Sequence, residues 1–176
     1  VVADDHSDTD IQAELAPLGD SRVIVSRHEE NRGASAARNT AITMASGEYL
    51  AFLDDDDEWS STKIEKQVAL MQASSDDVGL IYCWTEYQIP DGTVIAHRRP
   101  ELRGNVFDQM LGAQVLVNSS GLLVRSLAAE EIGPWDEVHL RGNDGDFIRR
   151  LCRNWKVDFV PEVLASIHVN HGPQIS

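Results

Sequence analysis

Tyr49-Leu50-Ala51-Phe52-Leu53 runs straight into Asp54-Asp55-Asp56-Asp57-Glu58, and the reading of the whole chain turns on this junction. Five apolar residues without polar alternation suit a central parallel strand covered on both faces. In an open parallel sheet, ligands lie beyond the carboxyl ends of the strands. Four consecutive aspartates at such an end raise one another's pKa unless a cation neutralises them. Mg²⁺ and Mn²⁺ take oxygen ligands and keep waters or phosphate oxygens in their shells. The junction therefore predicts a divalent ion that bridges Asp54 or Asp56 to a diphosphate. The competing reading is a solvated acidic run at a helix start, where Asp and Glu are favourable anyway. An EF-hand loop does not fit, because Trp59 stands where its sharp-turn glycine belongs.

The pattern on either side supports an α/β fold. Before the junction, Val1-Val2-Ala3 forms a strand that ends in the polar turn Asp4-Asp5-His6-Ser7. Residues 8 to 18 read as a short helix stopped by Pro17 and Gly19, Arg22 to Ser26 as a strand, and the Ala-rich residues 34 to 45 as a helix ending at Gly47. After it, Thr62 and Glu65 have capping-box spacing, and Ile64, Val68 and Met71 follow at helical spacing. Val78 to Trp84 is the next strand. Strands alternating with helices imply a mostly parallel sheet with helical crossovers.

The later half is less regular. Asp91-Gly92 predicts a hairpin turn between 87–89 and 93–95. Short helices are expected at 105–112 and 127–132, a strand at 121–124, a helix at 144–154, and two closing strands at 157–160 and 164–169.

The chain has 176 residues, one domain's worth, with a formal net charge of −14. Such a surface repels nucleic-acid backbones, so no nucleic-acid partner is expected. No apolar run approaches the roughly 18 residues of a membrane helix. Cys83 and Cys152 are the only cysteines; they provide no zinc site or disulfide framework and read as core thiols of a reducing compartment.

Three stretches in order resemble the inverting family-2 glycosyltransferases of the GT-A fold. They are Asp4-Asp5-His6-Ser7, Glu30-Asn31-Arg32-Gly33-Ala34-Ser35-Ala36-Ala37-Arg38-Asn39, and Gly47 to Asp57. Ser119 to Arg125, Gly133-Pro134-Trp135-Asp136-Glu137 and Asn143-Asp144-Gly145-Asp146 resemble that family's acceptor half. The resemblance implies one GT-A-like domain over 1–176, with a nucleotide-sugar donor half at 1–84 and an acceptor half at 85–176. It also implies transfer of a sugar from a UDP-sugar to a hydroxyl on a glycan or lipid-linked acceptor, with inversion and with Mn²⁺ or Mg²⁺.

Roles carry over by position. Asp5 matches the carboxylate that faces the uracil ring, and a turn-forming Asp is its plain alternative. Asn31 and Arg38 match donor-binding residues, Arg being suited to phosphate by its two-pronged fork. Asp54 and Asp56 match the DxD motif, Asp56 on the metal and Asp54 on metal or ribose, with Asp55 near the donor sugar. Asp144 matches the catalytic base, a helix N-cap being its alternative. Asp146 points elsewhere. His171 resembles a third metal or diphosphate contact, and Trp135 is either an acceptor-site or a core aromatic.

Some features depart from the family. His6 replaces the turn's usual Gly, Asn143 replaces the usual Glu, and in the family a strand and helix precede the position of Val1. A gap or exposed edge in the sheet is therefore expected, which a homodimer could cover. The location implied is cytoplasmic, or peripheral at the inner face of a membrane. The rival readings are a sugar nucleotidyltransferase on a related fold and a catalytically inactive or truncated UDP-binding remnant.

Overall fold

The computed structural model describes residues 1–112, 116–138 and 142–169. In chain order the elements are β1 (Val2–Asp4), α1 (Ile11–Leu15), β2 (Val25–Arg27), α2 (Ala34–Met44), β3 (Tyr49–Ala51), β4 (Glu58–Trp59), α3 (Lys63–Ala73) and β5 (Val78–Gln88). Then come β6 (Val94–Arg98), α4 (Phe107–Leu111), β7 (Leu122–Arg125), α5 (Ser126–Ile132), α6 (Asn143–Asn154) and β8 (Lys156–His168). Single 3-10 turns cover Ala16–Leu18 and Ser119–Gly121. Among the described residues, no helix is long and apolar enough to cross a membrane.

The strands form two sheets. β1 and β2 pair in parallel. The other six follow the order β3-β7-β5-β8-β4, with β6 beside β5. The α/β class with flanking helices is as expected, but strand directions are mixed rather than mostly parallel. In the larger sheet only β5 and β8 run in parallel, and β3/β7, β5/β7, β5/β6 and β4/β8 are antiparallel. The cause is local: a hairpin closed by Gly92 at φ 83° returns β6 along β5, and β7 comes back against both β3 and β5. That reversal brings Ser119 and Ser120, just before β7, to the carboxyl end of β3.

β3 is not the central, doubly covered strand that its apolar run suggested. It ends the larger sheet, Phe52 turns into the core, and Leu53 is 49% exposed. β5 holds the central place. Its alternate side chains feed two cores, as a strand's two-residue period requires. Leu80 and Tyr82 join Phe52, Met110, Trp135, Phe147, Leu151 and Phe159 on one face. Ile81 and Cys83 join Met71, Leu123 and Leu164 beneath α3 on the other. Cys83 and Cys152 are buried free thiols, raised by desolvation to about 11 and about 12.

Two other expectations need correction. The two closing strands are one, β8, which carries Pro161 through irregular pairing with β5; bulges are where a sheet tolerates proline. The capping box at α3 does not form: Thr62 occupies the N-cap, but its hydroxyl lies 3.3 Å from Ser60 Oγ instead of bonding the helix.

Candidate active site

The expected site residues fall into three groups, the first two around the opening turns of α2 and the third at the acidic turn after β3. In the first, β1 ends at the buried Asp4, whose carboxylate accepts from the Ser7 N–H (2.8 Å) and from Arg27 Nη1 (2.6 Å). The turn keeps the left-handed backbone of the glycine it lacks, with His6 at φ 69°. Asp5 accepts from the Arg32 and Gly33 N–H groups (2.8 and 2.6 Å) and lies 2.7 Å from His28 Nδ1. Burial opposes its charge, but these donors hold its carboxyl below the usual range. Asn31 Nδ2 donates to the Asp5 carbonyl (3.2 Å). Asp5 thus pins the loop that leads into α2.

The second group is the closest knit. Arg38, one turn into α2, donates from Nη2 to both Asp54 oxygens (2.6 and 2.8 Å) and to Ser119 Oγ (2.9 Å). Its Nη1 is 3.6 Å from Asp144 Oδ1. Asp144 is the second residue of α6, and it caps no N–H of its own helix: Gly142 holds the N-cap, and Asp144 Oδ2 accepts from the Ser119 N–H (3.0 Å). Desolvation raises the Asp144 pKa, the Arg38 charge offsetting part of the effect. Asn143 Nδ2 donates to Ser35 Oγ (2.6 Å), tying the start of α6 to that of α2. Asp146 points away and pairs with Arg150 (2.8 Å). Trp135 is a core aromatic, 1% exposed, stacked on Phe147 at 4.2 Å with the Arg38 guanidinium over its ring.

The third group lines a cavity of about 440 Å³ between the acidic turn and the β5–β6 hairpin. Its walls include Asp55, Asp56, Asp57, Gln88, Pro90 and His168. Asp56 is pushed up by desolvation and then by the charges of Asp55 and Asp54. Among the described residues, no three His, Cys, Asp or Glu side chains already converge on an ion position. His171 lies outside the described residues.

Three members of the site were not expected from sequence. Asp57 is buried, accepting from Ser120 Oγ (2.6 Å), Asn118 Nδ2 (3.2 Å) and the His168 N–H (3.2 Å); desolvation raises it to about 6. Ser119 and Ser120 are fully buried. Ser119 Oγ donates to Asp54 (3.2 Å), and Ser120 Oγ accepts the Asp54 N–H (3.1 Å). In the sequence Asp57 was hidden among identical neighbours, and nothing local marked the serines as partners of an acidic run some 60 residues away.

The glycosyl transferase family 2 model matches residues 1–128 of this chain. An uncharacterized glycosyltransferase of Methanocaldococcus jannaschii, MJ1057, is 28% identical over 152 residues, covering 85% of this chain and 52% of that protein. An Escherichia coli protein named UDP-Glc:alpha-D-GlcNAc-diphosphoundecaprenol beta-1,3-glucosyltransferase WfaP is 35% identical over 95 residues, covering 54% of this chain and 36% of that protein. Among solved structures, S. aureus TarS 1-349 in complex with UDP has a TM-score of 0.73 at 18% identity, covering 95% of this chain and 50% of that one. This chain therefore spans about half of the archaeal relative and of TarS 1-349, and a smaller part of WfaP.

Proposed function

Because this chain belongs to glycosyl transferase family 2, we propose that it transfers a sugar from a UDP-sugar to a hydroxyl of a glycan or lipid-diphosphate-linked acceptor, with inversion at C1. The WfaP name and the UDP complex of TarS support that donor and acceptor chemistry. The observation that carries the reading is the meeting of Arg38, Asp54, Ser119 and Asp144 at the carboxyl end of β3.

In this reading Asp144 takes the proton from the acceptor hydroxyl as it attacks C1. The Ser119 N–H orients that carboxylate, and its raised pKa makes it a better base. Arg38 exchanges part of its hold on Asp54 for a diphosphate oxygen, which its fork can bind in pairs. Asp5 and Asn31 face the base, and Asp55 the donor sugar.

The donor set at the acidic turn fits Mg²⁺ or Mn²⁺. It is all oxygen, and the desolvated Asp56, crowded by Asp54 and Asp55, gains from a cation. Asp56 and Asp54 would hold the ion, diphosphate and water completing its shell, with His171 as the third protein contact. Once bound, the ion supplies Lewis-acid neutralisation of the leaving diphosphate.

The test is turnover with a UDP-sugar panel and Mn²⁺. Asp144→Asn should lower kcat by about 100-fold or more, and Asp56→Ala by roughly 100-fold. Activity that neither change lowers removes these assignments; UDP binding without turnover in the wild type removes the transferase reading. Among the described residues β1 pairs only with β2 and β3 only with β7, leaving edges that a second copy could cover. A monomer in sedimentation at micromolar concentration removes that part of the proposal.

A further inference from the structure

Three successive backbone carbonyls, those of Ser120, Gly121 and Leu122, each accept a hydrogen bond from a side chain of the segment Trp59–Gln67. Trp59 Nε1 donates to the Ser120 oxygen (2.8 Å), Gln67 Nε2 to the Gly121 oxygen (3.0 Å), and Lys63 Nζ to the Leu122 oxygen (3.3 Å). Gln67 Nε2 also reaches the Ile81 oxygen of β5 (3.1 Å). Lys63 and Gln67 are fully buried, and the Lys63 ammonium sits over the Trp59 ring at 4.2 Å. The packing leaves no slack, for a Cβ on Gly121 would meet Val117 Cγ2 at 2.9 Å and Thr85 Cγ2 at 3.1 Å.

This arrangement is a poor way to gain stability. A buried ammonium with one carbonyl and one indole face for partners bears a desolvation cost that an apolar side chain would avoid. The cost makes sense if what it fixes matters. Ser120, the first residue of this segment, and Ser119 just before it present the groups that organise the site: the Ser119 N–H on Asp144, Ser119 Oγ on Asp54, and Ser120 Oγ between Asp57 and the Asp54 N–H.

We propose that Trp59, Lys63 and Gln67 are positioning residues for the transfer reaction, clamping the carbonyls of 120–122 so that Ser119 and Ser120 hold Asp144, Asp54 and Asp57 in register. They touch no substrate and act through the backbone. An error of about 1 Å in such a base is enough to cost roughly 100-fold in rate. The inference rests on the transferase reading for its kinetic arm only.

The test uses Trp59→Phe, which keeps an aromatic face and removes the indole N–H, with Gln67→Met and Lys63→Met, each checked for fold by circular dichroism. Two readouts are taken. In turnover, each variant should lower kcat about tenfold or more as Asp144 leaves its place, and any rise in KM for the UDP-sugar reports the loosened Asp54. In the free protein, the Ser119 amide proton should move upfield and exchange faster as its bond to Asp144 loosens. An unmoved Ser119 resonance in all three variants overturns the proposal, as does an unchanged kcat in an active enzyme. A Ser119 resonance that moves in the variants, with no turnover in the wild type, upholds the clamp and overturns the transferase reading instead.

Discussion

His6 and Lys63 each hold a place that chemistry makes costly. A non-glycine residue in the left-handed region carries about 1–2 kcal/mol of strain, and His6 sits there at φ 69°. Replacement by glycine relieves the strain but adds freedom to the unfolded chain. The net expectation for His6→Gly is a gain of roughly 0.5–1 kcal/mol, read as a higher urea midpoint. Lys63 is pushed down from 10.5 to about 8 by desolvation. Between those values the unfolded chain binds the extra proton, so this group's contribution to stability rises with pH across that window and is at its worst below about 8. Lys63→Met should melt roughly 2–4 °C higher near pH 7. The gap to wild type should close as the pH nears 10.5, as scanning calorimetry across that range would show. Asp57 marks the limit of reading single residues from a sequence. Four identical aspartates differ only once the fold buries one of them against Ser120, Asn118 and the His168 N–H.

Among the elements, the long helices were legible because their evidence is local: α2, α3 and α6 lie where Ala-rich or periodic sequence puts them. Strand rank was not. Tyr49 to Leu53 and Val78 to Cys83 are equally apolar, and only the pairing of β5 with both β7 and β8 makes it the central one. Nor could the sequence show that β8 carries Pro161 without a break, because the bulge at Pro161 and Glu162 is set by pairing with Cys83 and Trp84 of β5, about 80 residues away. The segment 119–121 shows the same dependence. Gly121 has ordinary backbone angles, yet an added methyl would press on Val117 and Thr85. Gly121→Ala should therefore lose about 1–3 kcal/mol in chemical denaturation and weaken turnover beyond what the stability loss explains. Gly79→Ala, which meets the Trp155 ring at 2.9 Å, should lose comparable stability with turnover per folded molecule intact.

At the scale of the molecule, the sequence located most of the candidate site, since Arg38, Asp54 and Asp144 do converge from positions far apart in the chain. It could not show that Arg38 bridges the two carboxylates, nor that Ser119 sits between them, because the serine's place depends on β7 reversing against β3. The division of the strands has a further consequence. Among the described residues the β1–β2 pair shares no ladder with the larger sheet, and its ties to the remainder run through α2 and through side-chain bonds such as Arg32 to Glu137 (3.2 Å). A ribbon of two three-residue strands is marginal alone, so this corner should breathe on its own rather than melt with the whole. In deuterium labelling, peptides from residues 1–30 should take up label well before those from 78–88 and 156–168. A UDP-type ligand that grips Asp5 and Asn31 would slow that uptake, turning the loosest corner of the molecule into its most ligand-responsive one.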